Sequence, residues 1–214
     1  MDIDDYIEAH IDSEPAYLTR LDRDTHVSLL NWRMCSGHLQ GRLLKMIARM
    51  ITPKRVLELG TFSGYSALCI AEGMPQDGIL HTIEASEELR DFIEAHLAHA
   101  PSGVRQKIIC HYGEALKVMP SLGVDFDLVF IDADKREYPA YYKAVYPMVS
   151  PGGYILADNT LWDGHVVEEG RHHPQTRGVM EFNRLVAEDS SVEKVMLPMR
   201  DGLTLIRKKL PGEE

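Results

Sequence analysis

Two short stretches carry oxygen-bearing side chains where they could act together. "FIDADK" closes an apolar run at Asp132, with Lys135 three residues further on. "LADNT" closes the next apolar run at Asp158 and Asn159. If those runs are adjacent parallel strands, their ends bring Asp132, Asp158 and Asn159 within a few ångströms of one another. Two carboxylates that close repel unless a cation or a proton sits between them. Oxygen donors with no histidine or thiol nearby favour Mg²⁺, with Ca²⁺ or Mn²⁺ as alternatives. The plainer alternative is that Asp158 and Asn159 only cap a following helix. Lys135 is placed to serve as a general base, its neutral form favoured by a neighbouring cation. Its own plainer alternative is a surface lysine paired with Asp132 or Asp134.

A third stretch, "VLELGTFSGYS" from Val56 to Ser66, reads as a strand running into a glycine turn that opens a helix. The turn is G-x-x-x-G, from Gly60 to Gly64, with Glu58 two residues before it. A dinucleotide turn needs G-x-G-x-x-G and a P-loop needs G-K-[ST], and neither is present. A carboxylate there would also repel phosphate in a low-dielectric cleft, which argues against a nicotinamide oxidoreductase. S-adenosylmethionine has no phosphate; it carries a ribose, an ammonium, a carboxylate and a sulfonium. Glu58 would help hold its cationic methionine end, and the glycines let backbone come close. Glu84, closing the next strand-like run roughly 25 residues beyond the turn, can accept both ribose hydroxyls. The plainer reading of both acids is a solvated strand end.

The elements that must position these groups follow from periodicity. Up to Pro53, "AYLTRLDRDTHVSLLNW" and "GHLQGRLLKMIARMI" carry apolar residues at helical spacing. After it, strands alternate with helices: "RVLEL", "GILHTIEA", "KIICHY", "FDLVFID" and "GGYILAD" read as strands, with helical stretches between them. Ser86 is the expected N-cap of the helix "SEELRDFIEAHLAHA". "VEKVMLP" and "GLTLIRKK" close the chain as a hairpin around "MRDG", whose Asp-Gly suits a tight turn. This pattern predicts an α/β fold: a mostly parallel sheet, helices on both faces and a C-terminal antiparallel hairpin. The expected organisation is a single domain over 1–214, with 1–52 a helical extension and 53–214 a Rossmann-like core.

Composition narrows the class. The 214 residues, 44% hydrophobic and 26% charged, suit one soluble domain with a sizeable core. A net charge of −10 argues against nucleic acid and anionic membranes as partners. Cys35, Cys69 and Cys110 form no metal or disulfide pattern. There is no signal-peptide pattern at "MDIDDYIEAH" and no bilayer-length apolar run, so a cytoplasmic protein is expected. His165, His172 and His173 read as exposed imidazoles on a loop, and Tyr138, Tyr141 and Tyr142 as packing residues of one helix.

"VLELGTFSGYS", "FIDADK", "ADNTLWDG" and the closing "DGLTLI" stand in the order found in the cation-dependent O-methyltransferases, and from about Met34 onward the chain resembles that family. The family includes the caffeoyl-CoA and catechol O-methyltransferases. The resemblance implies a seven-stranded Rossmann-like methyltransferase fold and transfer of a methyl group from S-adenosylmethionine to a catechol-type small molecule. It implies that Ser36, Glu58, Gly60, Phe62 and Ser66 surround the methionine end of the cofactor. Glu84 would bind the ribose, Ala115 would border the adenine, and Asp132 would lie near the cofactor as well as the metal. Asp132, Asp158 and Asn159 would hold the divalent cation, Lys135 would be the base and Trp162 would wall the acceptor site. A homodimer is expected, the N-terminal helices either covering the acceptor site or forming the contact. Two departures stand out. Arg42 replaces the glutamine of the family's "GQLL", and Val195 stands where catechol O-methyltransferase has a glutamate that pins the second hydroxyl. The second departure favours the plant-like or bacterial branch, whose acceptors are catechol-bearing phenylpropanoids. The competing reading is a non-catalytic S-adenosylmethionine-binding protein on the same scaffold.

Overall fold

The computed structural model describes residues 2–213. Among them lie seven strands: β1 Arg55–Leu59, β2 Ile79–Glu84, β3 Ile108–Tyr112, β4 Phe126–Ile131, β5 Val149–Asp158, β6 Val192–Leu197 and β7 Leu203–Lys208. They form one sheet in the order β3-β2-β1-β4-β5-β7-β6. The pairs β1–β4, β2–β3 and β4–β5 are parallel, while β7 runs antiparallel to both β5 and β6. The mostly parallel sheet with a terminal hairpin is the architecture that the strand–helix alternation predicts. No helix among the described residues is long and apolar enough to cross a membrane.

The chain divides into two compact units. One comprises Met1–Lys54 with Thr61–Gly113, the other Arg55–Gly60 with Glu114–Glu214. The first holds helices α1 Ile3–Glu8, α2 Ala16–Ser28, α3 Gly37–Ile51, α4 Tyr65–Gly73, α5 Arg90–Leu97 and α6 Ser102–Arg105, together with β2 and β3. Its centre is the crossing of α3 on α4. A Cβ at Gly73 would lie 2.2 Å from the Lys45 carbonyl oxygen, and one at Gly41 2.7 Å from Cys69 Sγ. The helix axes are therefore closer than any side chain at those two positions permits.

Beside this crossing lies a largely buried acid. Glu72 Oε2 pairs with Arg42 Nη1 at 3.1 Å and Lys45 Nζ at 2.8 Å, and the Tyr17 hydroxyl donates to Oε1. Arg42, the departure from the family pattern, thus supplies part of the positive charge that Glu72 needs. Burial pushes the Glu72 carboxyl up, but the bonds from Lys45 and Tyr17 and the charges of Arg42 and Lys45 outweigh it, leaving it below the ordinary range. Burial pushes the neighbouring Cys69 thiol up to about 12, so it stays a packing residue.

Three local expectations are corrected. The helix expected to reach Trp32 stops at Ser28, because Val27 and Leu30 are 80% and 100% exposed and no apolar contact sustains another turn. Ser86 makes no side-chain cap; it precedes a 3₁₀ turn at Glu87–Leu89, and α5 begins only at Arg90. β5 starts at Val149, ahead of "GGYILAD", with its register to β4 shifted between Phe126 and Leu128; Gly152, at φ +80°, directly follows the three added residues.

The second unit holds β1, β4, β5, β6 and β7, with α7 Ala115–Val118, α8 Tyr138–Val145 and α9 Pro174–Glu188. β1 is buried from Val56 to Leu59, the continuous pattern of a parallel strand covered on both faces. The β6–β7 hairpin closes at Leu197 and Leu203, so its connection runs 198–202 and is longer than a two-residue Asp-Gly turn.

Because Glu72 ionises more readily folded than unfolded, its contribution is complete above the ordinary glutamate range and is lost as pH falls through the folded value. Between about pH 5 and pH 3, the chain should therefore lose stability more steeply than a Glu72→Gln variant. Denaturant titrations at a series of pH values check this, and parallel slopes would contradict it.

Candidate active site

In the first unit the glycine turn is held by one acid. Glu84, at the end of β2, is 8% exposed. Its Oε2 accepts the backbone N–H of Phe62 at 2.8 Å and its Oε1 that of Ser86 at 2.9 Å. Thr61 N–H donates to the Ile83 carbonyl at 3.3 Å, so the turn is stitched to the end of β2. Phe62 adopts φ +49° and Gly64 φ +87°, and Gly64 opens α4. A carboxylate offers about four acceptor positions, so two backbone bonds leave room for two hydroxyl donors. Ser36 and Ser66 are buried, Ser36 immediately before α3 and Ser66 in the first turn of α4.

In the second unit β1 and β4 end in close approach. Gly60 has φ +97°, and a Cβ there would lie 2.0 Å from the Asp132 carbonyl oxygen. Asp132 N–H in turn donates to the Leu59 carbonyl at 2.9 Å. Glu58, opposite Phe130 in the β1–β4 register, is fully buried. The solvated-strand-end alternative therefore fails for both Glu58 and Glu84. Ala115 is buried at the start of α7.

The register Ile131↔Ala157 sets Asp132, just past β4, beside Asp158 at the end of β5. Asp158 Oδ1 accepts the N–H of Asn159 at 2.9 Å, and Asn159 sits at φ +56°. Lys135 is 8% exposed, which excludes the surface alternative although its partner is Asp132. Its Nζ donates to Asp132 Oδ1 at 2.7 Å and to the Tyr138 hydroxyl oxygen at 2.7 Å. Helix α9 packs against this turn through Gly178, where a Cβ would lie 2.1 Å from the Lys135 carbonyl oxygen. Trp162 lies half-buried in a 3₁₀ stretch, Trp162–Val167, whose Asp163 N–H donates to the Asp201 carboxylate.

Two side chains here escaped the sequence reading. The sequence pattern groups Tyr138 with packing tyrosines, yet its hydroxyl joins the Lys135 cluster. A signal was available: Tyr138 follows Lys135 at i+3, and 3₁₀ geometry eclipses those positions. Its phenol is pushed well above the ordinary range by burial and then by the charges of Asp132 and Asp158. Asp201, in the β6–β7 connection, accepts a bond from the Asn159 side chain. Burial raises its carboxyl above the usual range, with the bonds from Asp163 and Asn159 opposing. An acid beside the hairpin glycine was the available sign.

Among the described residues, no three His, Cys, Asp or Glu side chains gather into a metal-ligand set. The expected set is of another composition, two carboxylates and an amide. Its hard oxygen chemistry and its place on adjacent strand ends fit a divalent cation of the Mg²⁺ type.

A sequence profile of the family described as "O-methyltransferase" matches residues 8–209. A catechol O-methyltransferase of Niastella koreensis is 32% identical over 164 residues, 75% of this chain and 73% of that protein. Caffeoyl-CoA O-methyltransferase 1 of Eucalyptus globulus is 35% identical over 182 residues, 79% and 72% of the two chains. Among solved structures, the O-methyltransferase TomG of Streptomyces achromogenes, in complex with SAM, superposes with TM-score 0.89 at 29% identity over 97% of this chain and 96% of its own. The O-methyltransferase of Bacillus cereus, in complex with SAH, gives TM-score 0.90 at 25% identity over 97% of each chain.

The Gly60 contact is open to direct test. Gly60→Ala should cost about 3 kcal/mol or more, because it meets backbone and also imposes positive φ on alanine. Chemical denaturation measures it; a loss under about 1 kcal/mol would mean that the ends of β1 and β4 separate easily.

Proposed function

The chain belongs to the O-methyltransferase family, and from that premise we propose that it moves the methyl group of S-adenosylmethionine to one hydroxyl of a catechol-type small molecule, with a divalent cation present. The observation that carries this reading is a buried amine, Lys135, bonded to Asp132 and standing beside Asp158 and Asn159 at the neighbouring strand end. The relatives named above for catechol and caffeoyl-CoA, and the neighbours solved with SAM and SAH, support it.

Each residue has its part. Glu84 accepts the ribose hydroxyls through the positions left by its two backbone bonds. Glu58 and Asp132 supply negative charge toward the cationic methionine end, with Ser36, Gly60, Phe62 and Ser66 around it and Ala115 at the adenine. S-adenosylmethionine supplies, when bound, a methyl on a positive sulfur that departs with the bonding pair. Asp132, Asp158 and Asn159 would hold a divalent cation, which would supply Lewis acidity toward the acceptor's hydroxyls. Lys135 Nζ, in its neutral form, receives the acceptor hydroxyl's proton. Trp162 walls the acceptor. Little covalent work falls to the protein, so its contribution is alignment and fixed charge.

The acceptor class follows from what is missing. Val195 sits in the β6–β7 ladder opposite Leu205 and brings no carboxylate for a second hydroxyl. That favours catechol-bearing phenylpropanoids over catecholamines.

Two measurements test the reading. With S-adenosylmethionine and a simple catechol, turnover should appear with Mg²⁺, vanish in excess chelator and return on readdition; full activity in chelator would refute the metal requirement. Glu84→Ala should weaken S-adenosylmethionine binding by roughly 1.5–3 kcal/mol in calorimetry. An unchanged dissociation constant would remove Glu84 from the ribose.

A further inference from the structure

As an ammonium, Lys135 has three N–H directions, and two are taken at 2.7 Å each, by Asp132 Oδ1 and by the Tyr138 oxygen. Tyr138 is fully buried. Its hydroxyl also lies 3.1 Å from the Ile131 carbonyl oxygen and 2.9 Å from that of Asp158. A carbonyl can only accept, so the single hydroxyl proton goes to those carbonyls. The remaining bond must then run from the lysine nitrogen to the phenol oxygen. That direction is the same whether the nitrogen is an ammonium or an amine, since both donate.

The two carbonyls belong to the last residues of β4 and β5, neighbouring parallel strands. The hydroxyl is thereby anchored to the ends of two paired strands of the sheet. The ring is held independently, edge-on to Phe182 with centroids 5.4 Å apart. Through one oxygen atom, the ends of two strands define where Lys135 Nζ stands.

We propose that Tyr138 is a positioning residue for Lys135: together with Asp132 it takes two of the nitrogen's bonding directions, so the remaining one points a single way, toward the acceptor hydroxyl. The inference rests on Lys135 being the base. Tyr138 itself is fully buried and acts through Lys135. Without its oxygen, Nζ keeps only the Asp132 tether and swings about the end of a flexible stem, and alignment is what a positioned base contributes.

The test is a double-mutant cycle on the full chain with S-adenosylmethionine, Mg²⁺ and a simple catechol. Tyr138→Phe keeps the ring and removes the hydroxyl. It should lower kcat by about 10- to 100-fold while KM and calorimetric Kd for S-adenosylmethionine stay within about twofold. In a Lys135→Ala background the same change should cost nothing further in kcat, since no amine remains to be positioned. If Tyr138→Phe does not fold, 3,5-difluorotyrosine at 138 retains the bonds to the carbonyls and weakens the oxygen as an acceptor. It should lower kcat by a few-fold in the wild-type background and not in the Lys135→Ala one. Equal losses in both backgrounds, or no loss in either, would overturn the role of Tyr138 while leaving Lys135 as base. A Lys135→Ala enzyme with wild-type kcat would instead overturn the base assignment and this inference with it.

Discussion

A buried ammonium has to be paired, because an isolated charge in a low-dielectric interior costs many kcal/mol. Lys135 is the place where the second unit meets that demand. Its nitrogen is satisfied by the Asp132 carboxylate and the Tyr138 oxygen. Tyr138 can serve only because two strand-end carbonyls take its proton. The turn carrying Lys135 can lie where it does only because Gly178 lets α9 approach its backbone. One requirement of charge thus specifies the end of β4, the end of β5, the start of α8 and a glycine in α9.

The first unit answers the same requirement with opposite sign. Glu72 is held by Arg42, Lys45 and Tyr17, drawn from α2 and α3 onto α4. Glu84 is held by backbone N–H groups on either side of it in sequence. The two acids differ in what their bonds leave over. Glu72 is surrounded by cations and acts as a joint between helices. Glu84 receives one backbone N–H on each oxygen and has acceptor positions remaining, which suits it to a ligand rather than to packing.

Much of the fold was legible because its signals are local. The alternation of apolar runs with amphipathic stretches located every strand of the sheet, and Gly60 and Gly64 marked the turn after β1. The candidate residues at strand ends, from Glu58 to Asn159, were found by the same logic. The misreadings have local causes of another kind. "LLNW" continues a helical period, but with Val27 and Leu30 exposed there is nothing to bury. Ser86 stands where an N-cap should, but its N–H is drawn to Glu84, and a 3₁₀ turn follows.

By itself the sequence singled out candidate residues and placed the acids among them at strand ends, since strand period, turn glycines and motif spacing are properties of neighbouring residues. Partner choice was decided only by tertiary structure. Arg42 became the partner of Glu72 across 30 positions, and Tyr138 reached the Asp158 carbonyl across 20. Such bonds depend on register and on close approaches at glycines such as Gly60, Gly73 and Gly178, whose missing Cβ atoms matter only once another backbone lies against them. A hydroxyl is legible as a donor in any sequence, but the oxygen that receives its proton is set by packing.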